Sequence, residues 1–418
     1  MTYEWAIVGG GIAGISLAEI LTREGHSVIL IEKEEKLASV TTADFHEWIH
    51  TGSLYSLLPD KALTMRYLLG AIDDILEYYQ SYERMNLQPT ESGLNIGESG
   101  WFETNYIQFR FKTRHIHFAW IFIAARANYL IDKIRTHDWL RRRGGEINQE
   151  LKHKYKNIRN KLWEVVRSKD KFYTVVTTDF TAQSRMILGD LIITAMKNGL
   201  EISLSNSVKK ISNSKNVKKL QTDKGEILAQ KVIVTSGKHT SDFFDAKVTT
   251  TYAPIAVVSN LSKDCPSFVE LDYYPKNSIN IVTKGNGIGM VGGISLKNKS
   301  ECESYINKVL EKHKKYEPKM KVLDTYIGLK NEVTFKNQNR NYLYHILEQE
   351  KNVWAIIPGK FTLGFSLAPE FYRKVYHRNP KKVFKTYYND KKAQKFVSKM
   401  TWQKIVDKSL GERKNGND

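Results

Sequence analysis

The stretch WAIVGGGIAGISLAEILTREGHSVILIEKEE, residues 5–35, decides how the chain begins to fold. The short apolar run Ala6–Val8 predicts a buried strand, and the apolar residues of 12–23 recur at helical spacing. A second apolar run ends at Glu32 and predicts a second buried strand. Strand, helix and strand in this order predict a crossover unit in which the two strands lie parallel.

Three glycines stand where the first predicted strand meets the helix. Gly9, Gly11 and Gly14 give the pattern G-x-G-x-x-G, in which one glycine permits a tight turn, one lets the backbone approach a pyrophosphate, and one lets the helix pack against the strand. The free N–H groups at the start of the helix favour phosphates. Glu32, 18 residues after Gly14, can accept hydrogen bonds from ribose hydroxyls. The stretch therefore predicts a dinucleotide site, and its residues alone leave FAD and NAD both open.

The bulk composition is that of a globular protein with room for two domains. The chain has 418 residues, of which 41% are hydrophobic. Cys265 and Cys302 are its two cysteines, and neither lies at a metal-binding spacing, so we expect neither a metal site nor a disulfide framework. No charged leader precedes the first strand, and no stretch reaches the ~18–20 apolar residues of a membrane span. We therefore expect a cytoplasmic protein.

The formal charge of +19 is concentrated in two regions. Residues 101–171 hold 17 Lys and Arg against 7 Asp and Glu, and residues 373–415 hold 14 against 3. These counts give +10 and +11, which leaves −2 for the rest of the chain. Such concentration predicts contact with an anionic partner through residues 110–171 and 373–415: the inner face of a membrane, nucleic acid or an acidic substrate. A solvated lysine-rich surface would give the same counts, and the sequence leaves that alternative open.

The rest of the chain alternates between helical and strand-like patterns. Apolar residues repeat at three and four through 60–85, which predicts a long helix, and a second helix is predicted over 115–143. Proline and glycine break residues 87–100, which are expected to form a loop. A hairpin is predicted to turn at Lys224–Gly225, and the glycine-punctuated residues 250–300 are predicted to be rich in strands.

Four motifs together resemble one family. They are the N-terminal glycines, LASVTTADFHEWIHTGSLYSLLPDKAL at 37–63, VIVTSGKHT at 232–240 and IIPGKFTLGFSLAPE at 356–370. The combination is similar to the D-amino-acid-oxidase-like FAD-dependent oxidoreductases. Within that superfamily, WIHTGSLY followed by LPDKAL most resembles the L-2-hydroxyglutarate and glycerol-3-phosphate dehydrogenases.

The resemblance implies an α/β fold of two domains. One is a discontinuous, glutathione-reductase-like Rossmann-type FAD-binding domain, and the other is an antiparallel-sheet substrate domain with an added basic helical region. The implied boundaries are 1–85, 180–248 and 340–378 for the FAD-binding domain, 86–179 and 249–339 for the substrate domain, and 379–418 for a basic C-terminal tail.

The resemblance also implies FAD as the cofactor and places residues along it. The pyrophosphate would lie at the three glycines, the adenosine ribose at Glu32 and the adenine at the backbone of Val208. A reduced flavin carries negative charge near N1, which backbone N–H groups, a cation or the start of a helix would stabilise at the C-terminal motif. The implied cofactor residues are Gly9, Gly11, Gly14, Glu32, Lys33, Thr41, Thr42, Val208, Gly237, Gly359, Lys360, Phe361 and Thr362.

Flavin enzymes of this type take a hydride from a carbon that bears OH or NH. An alcohol also needs a base for its hydroxyl proton. His50, at the position of the family's histidine, is the candidate because imidazole titrates near the working pH. A structural role or a contact with the flavin ring is the alternative for this residue.

Cationic residues are the candidates for substrate recognition. Relatives that take carboxylates usually supply an arginine after the Gly-Leu of a late strand, whereas YIGLKNEV has Lys330. Lysine offers a point charge and not a bidentate fork, so a simple 2-hydroxy acid bound in the usual way is not favoured. We count Lys330 with His50 as a catalytic candidate. Arg110, Arg114 and Tyr106 are predicted to bind the substrate, with a solvated strand face as the alternative.

Three functions are compatible with these residues. The first is an FAD-dependent dehydrogenase or oxidase that takes a hydride from a CH–OH carbon of a small, polar, anionic substrate. The second is a CH–NH oxidase of the same fold. The third is a non-catalytic flavoprotein that binds polyanions through its basic regions. The sequence does not distinguish oxygen, quinone or another protein as the electron acceptor.

Overall fold

The N-terminal crossover predicted from the glycine motif is present in a computed structural model of the chain. Strand β1 (Thr2–Val8) leads to helix α1 (Ile12–Arg23) and then to β2 (Val28–Ile31), which pairs with β1 in parallel. The helix has the predicted bounds, and all of its residues are buried. The structure describes residues 2–415 apart from 53, 56–59, 61–62, 91–92, 113–171, 178, 245–247, 273 and 335–340, so the helix predicted over 115–143 lies outside the described residues.

Described strands and helices alternate along the chain. The strands after β2 are β3 (Trp48–Ile49), β4 (Leu87–Thr90), β5 (Gly93–Ile96), β6 (Phe102–Glu103), β7 (Gln108–Lys112), β8 (Phe172–Val176), β9 (Phe180–Ala182), β10 (Glu201–Ser203), β11 (Val208–Ser214), β12 (Val217–Thr222), β13 (Gly225–Val234), β14 (Val248–Ser259), β15 (Phe268–Leu271), β16 (Ile279–Thr283), β17 (Gly289–Gly292), β18 (Lys321–Val333), β19 (His345–Glu350) and β20 (Val353–Ile357). The helices after α1 are α2 (Leu63–Tyr78), α3 (Ser184–Lys197), α4 (Cys302–Lys314), α5 (Gly364–Tyr376), α6 (Asp390–Phe396) and α7 (Thr401–Asn415).

The first sheet carries the crossover unit. Its parallel strands follow the order β10–β2–β1–β13–β20, and the antiparallel strands β11, β12 and β19 complete it. The predicted turn at Lys224–Gly225 is confirmed by the β12–β13 pairing, in which Thr222 lies opposite Gly225. Helices α1, α3 and α5 contribute to one core with the inner face of this sheet. The arrangement is the Rossmann-type sheet expected from the sequence.

The second sheet is built mostly from antiparallel strands in the order β18–β14–β17–β16–β15–β7–β8. The β7–β15 pair is parallel. Helix α4 packs on one face of this sheet, with Ile306 and Val309 among its buried residues. The other face carries Ile255, Val269 and Met290, which pack with Trp48 from β3. The second sheet therefore has one face covered by α4 and the other packed against β3.

Residues 87–100 are not the irregular loop predicted from their glycines and proline. They contain the antiparallel pair β4–β5, in which Pro89 lies opposite Leu94. A two-stranded ribbon has free edges, where proline can be accommodated without losing a ladder hydrogen bond. The prediction failed because proline and glycine interrupt a central strand but are tolerated in such a ribbon.

The C-terminal segment packs against the residues that follow the glycine motif. Val397 and Met400 are fully buried, and Leu37 forms a bridge with Val397. The Leu37 N–H donates to the Phe396 carbonyl at 2.8 Å, and the Thr401 N–H donates to the Ala43 carbonyl at 3.0 Å. Helices α6 and α7 thus carry part of the predicted basic tail. No described helix is long and apolar enough to cross a membrane.

A buried ion pair joins five segments of the chain beside β3. Lys284 Nζ lies 2.7 Å from the Glu47 carboxylate, and both side chains are 1% exposed. The Glu47 carboxylate also accepts hydrogen bonds from the Ser184 N–H at 3.0 Å and from Trp402 Nε1 at 2.9 Å. Lys284 in turn contacts Glu103 at 3.1 Å. Both charged groups have further polar partners, and these contacts offset the free energy lost when the two charges leave water.

We expect Lys284→Met to lower the free energy of unfolding by about 3–5 kcal/mol, because it leaves the buried Glu47 carboxylate without its cation. Chemical denaturation followed by circular dichroism measures the change. Lys263→Met, at an exposed position, is the control and should change the free energy by less than about 0.5 kcal/mol. A loss below about 1 kcal/mol for the Lys284 variant would show that the pair does not hold these segments.

Candidate functional site

The turn between β1 and α1 leaves no room for side chains at its glycines. Gly9 has a φ of +107°, and a Cβ there would lie 2.8 Å from the carbonyl oxygen of Thr235. A Cβ at Gly14 would collide with the carbonyl oxygen of Gly9. Gly9 and Gly11 line a cavity, whereas Gly14 lies behind them in the helix. The backbone is therefore open on the cavity side and closely packed on the other, as a pyrophosphate cradle requires.

Glu32 is fixed at the end of β2 by the backbone of the glycine loop. Its Oε2 accepts a hydrogen bond from the Gly10 N–H at 2.6 Å, and its Oε1 accepts one from the Glu34 N–H at 3.0 Å. Lys33 and Val208 line the same part of the cavity. Glu32, Lys33 and Val208 thus lie together in the cavity wall, and their contacts with the ribose and the adenine stay a prediction.

The two predicted threonines connect the cofactor loop with the second sheet. Thr42 Oγ1 accepts a hydrogen bond from the Ile12 N–H at the start of α1, at 3.1 Å. Thr41 Oγ1 accepts one from Asn331 Nδ2 at 3.2 Å. The same Nδ2 would lie 3.2 Å from a Cβ at Gly237, whose φ is +60°. Asn331 therefore joins three parts of the cavity wall, and the sequence analysis did not identify it.

The C-terminal glycine loop, residues 358–362, lies beside His50, which directly follows β3. Gly359 has a φ of +68°, and a Cβ there would approach the carbonyl oxygens of two residues in a neighbouring segment. Phe361 stacks on Phe45 with ring centroids 4.4 Å apart. Thr362 is buried and does not line the cavity; its Oγ1 accepts the His50 N–H at 3.1 Å. Of the four predicted loop residues, Thr362 thus supports the histidine and not the cofactor directly.

Lys360 lies in the cavity wall between two tyrosines. Its Nζ is 4.6 Å from the ring centroid of Tyr55 and 4.7 Å from that of Tyr342. Both rings line the cavity. Cation–π contacts of this kind hold the ammonium group in place. Helix α5 begins at Gly364, four residues later, so its N-terminal dipole end lies near this cation.

His50 forms a close pair with a buried aspartate that the sequence analysis did not identify. Its Nδ1 lies 3.4 Å from Asp179 Oδ2, an ion-pair distance without the alignment of a hydrogen bond. Asp179 is fully buried and accepts hydrogen bonds from the Thr51 N–H at 2.8 Å, from Thr51 Oγ1 at 2.6 Å and from Trp48 Nε1 at 2.8 Å. The carboxylate therefore holds the residues on both sides of His50.

The surroundings keep the His50 imidazole neutral. Burial, followed by the charge of Lys360, lowers its pKa to about 4, with a smaller contribution from Lys330 in the same direction. Asp179 acts in the opposite direction. The side chain is 15% exposed and lines the cavity. A neutral imidazole in this position can accept a proton throughout the neutral pH range.

Lys330 also lines the cavity, on β18. The burial of His46, followed by the charge of Lys330, lowers the pKa of His46 to about 3. Two lysines, Lys330 and Lys360, thus lie near one neutral histidine. The structure brings together both catalytic candidates of the sequence analysis.

Of the predicted substrate residues, the structure describes Arg110 and Tyr106, and neither lines the cavity. Arg110 lies over the Phe268 ring, with its guanidinium carbon 4.1 Å from the ring centroid. Phe268 belongs to the core beneath α4, and the neighbouring Phe109 belongs to the opposite, Trp48-facing side. Alternation along β7 therefore points Arg110 away from the cavity. Tyr106 is not part of the lining, and Arg114 lies outside the described residues.

One cavity extends from Val208 to His50. Its volume is about 1020 Å³, and its lining includes Gly9, Glu32, Val208, His50 and Lys360. The glycine loop, Glu32 and the C-terminal loop thus face one continuous space, which fits an extended dinucleotide such as FAD. Asp179 belongs to no local sequence motif, and Asn331, although it follows Lys330 in YIGLKNEV, has no spacing that marks it.

Solved structures with this fold include enzymes of different chemistry. L-α-glycerophosphate oxidase from Mycoplasma pneumoniae, solved with FAD bound, is 18% identical, covers 91% of this chain and 97% of its own, and has a TM-score of 0.64. Glycine oxidase from Bacillus cereus is 14% identical over 91% of this chain and 96% of its own, with a TM-score of 0.62. NikD, an amino acid oxidase of nikkomycin biosynthesis, is 13% identical over 93% and 99%, with a TM-score of 0.64.

The sequence itself matches a family model over most of its length. No curated protein sequence matches the chain significantly. The model of the DAO family, described as FAD dependent oxidoreductase, matches residues 4–329. This range contains the turn with Gly9, Gly11 and Gly14, β3 with the following His50, and most of the second sheet. The chain therefore belongs to the DAO family of FAD-dependent oxidoreductases.

Proposed function

We propose that this FAD-dependent oxidoreductase removes a hydride from a CH–OH carbon of a small, polar, anionic substrate. The His50–Asp179 pair carries the proposal. An alcohol can lose a hydride only if its hydroxyl proton is taken up as well, and a neutral imidazole supported by a carboxylate is suited to that step. Amine oxidation requires no such base, because a neutral amine already has its lone pair.

Bound FAD supplies the hydride acceptor. His50 then has one defined task, to take the hydroxyl proton of the substrate. Its Nδ1 faces Asp179 at 3.4 Å, so Nε2 is the nitrogen that receives the proton. Contacts of this length commonly shorten when a substrate binds. As the imidazole gains charge, the Asp179 carboxylate, held by three hydrogen bonds, stabilises it without having to reorient.

The two lysines define the charge of the substrate. Lys330 and Lys360 line the cavity, and both exert their charge on His50. An anionic group placed near them would be attracted by both and would favour the protonated imidazole formed during the reaction. These contacts support a substrate with a carboxylate or phosphate group. A cationic substrate would be repelled by the same charges.

Oxidation of an amine is the second candidate. The fold is shared with glycine oxidase and with an L-amino acid deaminase from Proteus vulgaris, which is 14% identical with a TM-score of 0.59. In that reaction His50 would support the flavin or the cavity wall, and the rate would depend on the ionisation of the substrate amine.

His50→Gln should slow anaerobic flavin reduction by about 10²–10⁴-fold, because it removes the base. The measurement follows the visible absorbance of the bound flavin after mixing with a panel of hydroxy acids, polyol phosphates and amino acids. In the unaltered enzyme kcat/KM for flavin reduction, which reports the free enzyme, should be constant above about pH 5 and fall as the pH approaches about 4, where His50 becomes protonated. The exposed His377→Gln is the control and should react normally.

The same measurement separates the two functions. A His50→Gln enzyme that reduces its flavin within a few-fold of the normal rate contradicts the alcohol mechanism. A rate that continues to rise with pH until the substrate ammonium group has lost its proton would point to amine oxidation instead.

Asp179→Asn should lower kcat by about 10–100-fold with a smaller change in KM, because the charge that stabilises the imidazolium is lost. It should also lower the pKa of His50, since Asp179 acts to raise it. The comparison variant is Thr51→Val, which removes one hydrogen bond to Asp179 but keeps the charge. If both variants lose the same activity, or if neither does, the charge of Asp179 has no role in the reaction.

A further inference from the structure

Residues 377–389 form an extended strap across the helices of the first sheet. The backbone of this strap is fixed at several points. Arg23 Nη1 donates to the Lys381 carbonyl at 3.0 Å, and Thr194 Oγ1 donates to the Tyr387 carbonyl at 3.1 Å. The strap thus runs from the end of α1 to α3 in one defined path.

The side chains of the strap separate into an inner and an outer set. Phe384 points inwards, with the Arg23 guanidinium carbon 3.7 Å from its ring centroid. Val383, its neighbour, is 87% exposed, and Tyr388 is 50% exposed. The backbone on both sides of Val383 is held, because Ser81 Oγ donates to the Lys382 carbonyl at 3.1 Å and accepts the Phe384 N–H at 3.3 Å. Four cations share the exposed side: Arg378, Lys381, Lys382 and Lys385.

The charge of the strap is only partly compensated. Residues 377–389 contain these four cations and no acidic residue. Lys382 pairs with Glu77 at 2.5 Å, and Arg378 lies 3.7 Å from Glu24. For Lys381 and Lys385 the structure gives no carboxylate partner among the described residues. Lys385 Nζ lies 5.4 Å from the centroid of the Tyr387 ring. The strap therefore presents an exposed apolar side chain between two exposed lysines that have no carboxylate partner among the described residues.

We propose that the strap binds an anionic phospholipid surface. Lysines attract acidic headgroups, and an apolar side chain fixed between them can enter the boundary between headgroups and acyl chains. A nucleic acid would use the same cations but would gain nothing from an exposed valine. The contact is peripheral, and it is independent of the reaction assigned to His50.

The test is co-sedimentation of the FAD-loaded enzyme with vesicles. One set contains phosphatidylcholine with one quarter phosphatidylserine, and the other contains phosphatidylcholine alone. We expect binding to the first set only, weakened at high salt. The Lys381→Glu/Lys385→Glu variant should bind at least about tenfold more weakly, and Val383→Asp should lose part of the binding without a change in the other charges.

The control variant reverses the charge of two lysines outside the strap. Lys263→Glu/Lys319→Glu changes the net charge equally at exposed positions beside the second sheet, and it should bind as the unaltered enzyme does. Flavin absorbance confirms that each variant is folded and loaded. Equal loss in the control variant would show that net charge alone is responsible. Absence of vesicle binding, or binding of a single-stranded oligonucleotide that depends on Lys381 and Lys385 while vesicles are not bound, would overturn the proposal.

Discussion

Two buried carboxylates hold the short strand that leads to His50. Strand β3 has two residues and cannot be fixed by its own ladder hydrogen bonds. Glu47, immediately before it, is bound to Lys284 and Trp402, and Asp179 binds Trp48 within it and Thr51 after His50. A buried carboxylate that loses its partners costs several kcal/mol, so each pair resists displacement of the strand. The position of the histidine therefore depends on charges that lie outside the cavity.

The same arrangement determines the electrostatics of the cavity. Lys360 and Lys330 favour the neutral form of His50, and Asp179 favours the protonated form. An anion bound near the two lysines would offset their effect and raise the proton affinity of the imidazole. Under the proposed function, His50 would thus become a stronger base when an anionic substrate is bound. This coupling follows from the placement of charges and requires no movement of the backbone.

The sequence was most informative where local geometry is restrictive. The glycine spacing predicted the turn, helix α1 had the predicted bounds, and Glu32 lies at the end of β2 as expected. These features depend on residues close together in the chain, whose conformational limits are read directly from residue types. The family motifs extended the prediction to the C-terminal loop, which lies beside His50.

The sequence was least informative about contacts between distant segments. Asp179 is 128 positions from Thr51, and Glu47 is 137 positions from Ser184. No periodicity or spacing encodes such pairs. The prediction for Arg110 failed for a related reason: a strand directs alternate residues to opposite faces, and nothing in QFRFK shows which face meets the cavity.

The C-terminal segment, residues 377–415, both packs against the protein core and carries exposed lysines. Its buried residues Val397 and Met400 and its contacts with Leu37 and Ala43 support the loop that lines the cofactor cavity. Lys381, Lys382 and Lys385 lie on its exposed side, whereas Phe384 packs inwards against Arg23. A flexible tail would spread these charges over many conformations. Packing against the helices instead gives them fixed positions, and fixed positions let several cations act on one surface together.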